Sequence, residues 1–126
     1  MPDNATVMVK SVAKAEKYKF GSDTIALLLE GKNTSGQYTL TQDSFSKGFK
    51  VPKHSHSKNT ETFYVLEGKV QFTVDKKDYQ LTEGMVIYLP PGSDHSLLAL
   101  TDSKMLMIYS PSGFEDTLRK LQRVED

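Results

Sequence analysis

Apolar residues recur at every second position in short runs along this chain, with clusters of Gly, Pro, Asn and Asp between the runs. Val70, Phe72 and Val74 alternate with Lys69, Gln71 and Thr73, which gives that stretch one dry face and one wet face. The pattern predicts strands over residues 6–12, 24–30, 37–45, 62–66, 69–75, 79–81, 85–89, 95–100 and 104–109. Glu67-Gly68, Asp75-Lys76-Lys77, Thr82-Glu83-Gly84 and Pro91-Gly92-Ser93-Asp94 read as turns between them. Short strands in such a series indicate an all-β sandwich or barrel. The period changes near the end, where Phe114, Leu118, Leu121 and Val124 fall on one helical face. Ser112, with Glu115 three residues later, is a capping-box signal. A short C-terminal helix is therefore expected over 113–124, packed on the sheet or against a partner. Residues 1–5 are expected to be mobile.

Composition narrows this picture. A chain of 126 residues favours a single domain, here 1–126. It has no Cys, which excludes disulfides and zinc–thiolate sites. Its 16 Lys and Arg balance 16 Asp and Glu without a basic patch, so neither nucleic acid nor a membrane surface is expected as partner. The longest apolar runs, 25–29 and 105–109, are too short to span a bilayer. Residues 1–10 lack the apolar stretch of a secretory signal, so a cytoplasmic location is expected.

The chain has only three histidines, His54, His56 and His95. His54 and His56 stand two apart, so on a strand their rings share a face. Glu61 follows after a polar stretch suited to a turn, and a neighbouring strand can return its carboxylate to the same side. His95 opens a new strand just after the turn at 90–94. Imidazoles with a carboxylate suit Fe, Mn, Ni or Zn as divalent ions. Four protein ligands leave a coordination position open for substrate, water or dioxygen.

Residues 48–68 read Gly48, five residues, His54-Ser55-His56, four residues, Glu61, six residues, Gly68. This resembles the first cupin motif at every position. Residues 84–99 read Gly84, five residues, Pro90-Pro91-Gly92, two residues, His95, three residues, Ala99. This resembles the second cupin motif, except that Ala99 stands where the family has Asn, which is not a metal ligand. Met85 likewise replaces an Asp often found after the motif glycine. The resemblance implies a small jelly-roll β-barrel and one divalent metal held by His54, His56, Glu61 and His95. A weaker resemblance over nearly the whole chain is to small bacterial cupins related to quercetin dioxygenases. It implies dioxygen chemistry with Glu61 also acting as a base, and a homodimer. A non-redox metal-dependent isomerase, epimerase or lyase, and a non-catalytic small-molecule-binding cupin, are the alternatives.

Residues two apart on a strand share a face, so Phe63 and Val65 are expected beside Glu61, and Leu97 beside His95. With Phe72 and Ile87 they are the candidate substrate pocket. No Lys or Arg is in phase with the ligands, which argues against a strongly anionic substrate and for an aromatic or weakly charged one. Tyr64 is out of phase with Glu61 and is expected to point away from the metal.

Overall fold

The computed structural model describes residues 6–125. The expectation for residues 1–5 lies outside that range. The strands are β1 (Glu16–Phe20), β2 (Asp23–Leu29), β3 (Thr39–Phe45), β4 (Lys50–His54), β5 (Thr60–Glu67) and β6 (Lys69–Val74), followed by β7 (Lys77–Thr82), β8 (Val86–Leu89), β9 (His95–Ala99), β10 (Ser103–Ser110) and β11 (Gln122–Val124). Two short helices, α1 (Gly31–Thr34) and α2 (Phe114–Leu118), interrupt them. A seven-stranded sheet runs β11-β1-β2-β3-β10-β5-β8, and a four-stranded sheet runs β4-β9-β6-β7. Every strand pair is antiparallel. The fold is the all-β jelly roll expected from the alternation.

Alternation positions the core. On β5, Glu61, Phe63 and Val65 are buried while Tyr64 is 40% exposed. Phe63 stacks on Phe72 of the opposite sheet, with ring centroids 5.6 Å apart. Val65, Val70, Leu97 and Met105 fill the space around them. A second, smaller cluster of Tyr18, Ile25, Leu27 and Leu118 lies under α2. Strand β3 inverts the usual pattern: Thr39, Thr41 and Asp43 face inward and are buried, while Leu40 sits on the other face.

The structure departs from the expected elements in four places. Residues 6–11 form no strand, and Val12–Lys14 is a 3-10 turn capped by Ser11. Val7 and Val9 are 94% and 90% exposed, so the valine alternation there has no face to pack on. Strand β1 was not anticipated, because Lys17 and Lys19 mask the inward Tyr18. Strand β4, outside the strands predicted from alternation, contains Pro52; it is the edge of its sheet, where a missing N–H is tolerated. The C-terminal helix stops at Leu118, short of the expected 124. Phe114, Leu118 and Leu121 do pack on the second cluster, but the chain then turns into β11 and covers the edge of β1.

Glu115 explains how α2 is anchored. Its carboxylate accepts hydrogen bonds from Thr39 Oγ1, from Gly31 N–H at 2.8 Å and from Gly113 N–H at 3.0 Å. It turns inward instead of pairing with Ser112 as a capping box; the N-cap is Gly113. Burial alone would raise its pKa, but these donors outweigh that and hold it below the usual carboxylate value.

A candidate metal centre at one end of an apolar cavity

Antiparallel pairing of β4 with β9 sets His54 directly opposite His95, and their ring centroids lie 4.3 Å apart. A bulge between Val51 and His54 turns the end of β4 toward the barrel interior. His56 is not on the strand, as its two-residue spacing had implied, but in the loop that follows. Gly92 fixes that loop: its N–H donates to the His56 carbonyl at 2.8 Å, tying the first histidine pair to the turn before His95. Gly92 has φ +83°, a conformation costly for other residues. Strand β5 brings Glu61 beside Tyr109 of β10 and Leu89 of β8.

The three imidazoles each offer a nitrogen within 4.8 Å of the others. Glu61 Oε1 lies 3.4 Å from His95 Nε2 and 3.6 Å from His56 Nε2. The three imidazoles form a possible metal-holding group, and Glu61 stands beside two of them, His95 and His56. Tautomers are set from outside. His54 Nδ1 lies 2.8 Å from the Pro52 carbonyl, and His95 Nδ1 lies 3.1 Å from the Ser93 carbonyl. A carbonyl only accepts, so each Nδ1 carries the proton and each Nε2 keeps a lone pair for a cation.

Burial governs the charges. It pushes the Glu61 carboxyl up to about 7. It lowers His95 and His56 below the ordinary imidazole value, and the neighbouring His54 adds to this. Glu61 stands at ion-pair distance from two rings, yet burial favours the neutral form of each. The cluster is therefore ready to receive positive charge and has no protein cation of its own to supply it.

A cavity of about 350 Å³ opens beside this group. Its size suits a small organic molecule. Phe63, Phe72 and Leu97 line it. Val65 and Ile87 do not: Val65 is sealed in the core, and Ile87 packs against that core from its edge. Among the described residues that line the cavity there is no Lys or Arg. Sequence reasoning missed Tyr109, Met107 and Phe49 on the wall, and also Asp23 and Asp43. The period-two spacing of 105, 107 and 109 would have found the first two. Tyr109 is buried and its hydroxyl donates to Met107 Sδ at 3.3 Å. Burial first, then the nearby carboxylates, raise its pKa well above the phenol value.

The fold and site together define a small antiparallel barrel with a histidine group at the end of an internal cavity. The chain belongs to the cupin family: the model for the cupin domain matches residues 42–110. Over 122 residues it is 30% identical to quercetin 2,3-dioxygenase of Bacillus subtilis, covering 96% of this chain and 36% of that protein. The chain thus spans about a third of that relative's length. Among solved structures, ectoine synthase from P. lautus aligns with a TM-score of 0.80 at 18% identity, over 94% of this chain and 88% of that one. A predicted oxalate decarboxylase from Thermotoga maritima aligns at 0.77 with 21% identity, over 82% and 99%.

Proposed function

We propose that His54, His56, Glu61 and His95 hold one divalent transition metal, and that the chain is a dioxygenase-like enzyme acting on a small aromatic or weakly charged organic substrate. The observation that carries this reading is the convergence of Nε2 of His95 and His56 on Glu61 Oε1 at the wall of an apolar cavity. The similarity to quercetin 2,3-dioxygenase supports the class of reaction. When bound, the metal supplies Lewis acidity and an open position for an oxygen ligand.

The chain's own residues do the rest. The carbonyls of Pro52 and Ser93 hold two rings in the tautomer that ligates. Phe63, Phe72 and Leu97 exclude water and orient a flat substrate edge. Glu61, buried at the cavity wall beside His95 and His56, takes the proton of a substrate hydroxyl as that oxygen approaches the site. A buried carboxyl on the cavity wall equally suits the second reading, proton transfer without dioxygen in an isomerase, epimerase or lyase.

Metal analysis of chain purified from unmodified cells is expected to find about one Fe, Mn, Ni or Zn per chain. Substrate screening is then expected to give oxygen uptake that needs this metal and falls roughly 10²–10⁴-fold in Glu61→Gln. Uptake that survives Glu61→Gln removes the base role. Turnover that proceeds without oxygen selects the second reading, and ligand binding without turnover makes the chain a binding protein.

A further inference from the structure

Burial along the cavity wall shows where it meets solvent. Three lining residues are exposed: Phe20 at the end of β1, Pro52 on the edge strand β4 and Thr117 on α2. The half-buried ones, Val51, His54, His56, Phe114 and Leu121, lie on β4 and α2 or directly after them. The rest of the wall is buried. The mouth is therefore a slot with β4 on one side and β1 with α2 on the other. The strand orders agree, since β4 ends one sheet and β1 stands beside the terminal β11 of the other.

The three elements around this slot are not held alike. Strand β4 is laddered to β9, and β1 to both β2 and β11. Among the described residues, the backbone hydrogen bonds of residues 113–120 stay within α2 and the turn after it. Side chains join α2 to its surroundings. Leu118 is fully buried in the second cluster, and Phe114 stacks on Tyr109 with ring centroids 3.9 Å apart. Glu115 makes the bonds to Thr39 and Gly31. At the other end of the helix Arg119 acts as a clamp. Its Nη1 and Nη2 each donate to one oxygen of Glu30 at 2.9 Å, and Nη2 also donates to Glu16 at 3.3 Å. A forked guanidinium–carboxylate contact fixes direction as well as distance. Glu16 opens β1 and Glu30 follows β2, so the clamp pins α2 down on the β1 side of the slot. Moving β1 or β4 breaks ladder bonds. Lifting α2 breaks none, so it is the wall that opens at the lower cost.

We infer that α2 is the gate of the cavity: a small molecule enters between β4 and α2, and the clamp of Arg119 on Glu30 and Glu16 sets how often that slot opens. The inference rests on the cavity and its walls and is independent of the metal reading.

The chain has no Cys, so a single introduced thiol reports access to the cavity without a known guest. Met107→Cys places that thiol on the buried wall. Its alkylation by N-ethylmaleimide, a small uncharged reagent, is followed by mass spectrometry on the folded full chain, with urea stability measured in parallel. In this background Arg119→Ala is expected to speed labelling roughly three- to tenfold, because it weakens the closed state alone. Arg119→Lys, which keeps the charge and loses the fork, is expected to fall between. Thr117→Trp narrows the slot from its exposed rim and is expected to slow labelling by at least about threefold. Glu67→Gln removes an exposed ion pair with Lys104 away from the cavity and is expected to leave the rate unchanged. Labelling of the parent at the rate of a free thiol overturns the inference, because the slot then stands open. An unchanged rate in Arg119→Ala overturns it too, as does a Thr117→Trp rate that is not reduced. Rates that follow urea stability across all the variants mean that unfolding of the whole chain admits the reagent, and also overturn it. If Met107→Cys does not fold, Leu97→Cys carries the thiol on the opposite wall; if Arg119→Ala does not, Arg119→Lys decides against the parent.

Discussion

Glu61 is one of several wholly or partly buried groups through which the metal-free chain responds to pH, beside Asp23, Asp43, His56 and His95. Below about pH 4.5 Glu61 is protonated whether the chain is folded or not. As pH rises, the unfolded chain releases this proton near 4.5, while the folded chain keeps it until about 7. Stability from this group is therefore full at low pH and is lost as pH rises through the folded value. The loss is on the order of 2–3 kcal/mol. Glu61→Gln removes it, and because Asp23 and Asp43 are present in both chains, their contribution cancels in the difference. Denaturant midpoints of the two metal-free chains should therefore be most alike near pH 4.5, where both side chains are neutral, and the wild type should fall progressively below the variant as pH is raised from there to above 7. A difference that does not vary with pH would contradict the burial of Glu61 described above. With saturating metal, the trend should flatten, because the bound cation favours the ionised carboxylate.

Among the elements, α2 is the one held by polar contacts as much as by packing. Glu115 joins it to β3 through Thr39 and to α1 through the Gly31 N–H. Gly31 has no room for a side chain there: a Cβ would lie 2.5 Å from Ser112 Oγ. Glu115→Ala strands Thr39 Oγ1 and the Gly31 N–H, and should cost about 2–4 kcal/mol by urea unfolding. A cost under about 0.5 kcal/mol would mean that water replaces the carboxylate freely. The sequence made Glu115 visible as a cap signal, but not its inward turn, because the partner residues lie about 80 positions away. The same limit recurs elsewhere. Strand β6 was legible because its alternation is apolar on one side only, and β5, β9 and β10 because short apolar runs stand between turn residues. Strand β3 presents polar residues to the interior, so nothing in a hydrophobicity count assigns Asp43 to the cavity. His54, Glu61 and His95 sit at strand ends, where motif spacing locates them. His56 owes its position to a loop and to Gly92, which spacing on an ideal strand does not describe.

For the molecule as a whole, the open question of partners moves to a different surface. The apolar face of the terminal helix is spent within the chain, on Tyr18, Ile25 and Leu27. Strand β11 also covers the edge of β1, leaving β8 as the uncovered far edge of the larger sheet. Val86 and Tyr88 there are each 59% exposed, next to Tyr64 and Ile108 on the same outer face. We propose that a second copy binds on this outer face. Sedimentation at micromolar concentration should give a dimer, and Val86→Asp should shift it toward monomer; a wild-type monomer removes the idea. No helix among the described residues is long and apolar enough to cross a membrane.

The loop position of His56 has a kinetic consequence. His54 and His56 are close enough along the chain to grip an ion together before any sheet exists, whereas His95 arrives only when β4 and β9 have paired. A cation present from the outset therefore meets a partial chelate on the unfolded polypeptide, and part of its affinity is spent there and not on the native barrel. An ion that also binds the unfolded chain would stabilise the native barrel by correspondingly less, whatever the order in which it enters.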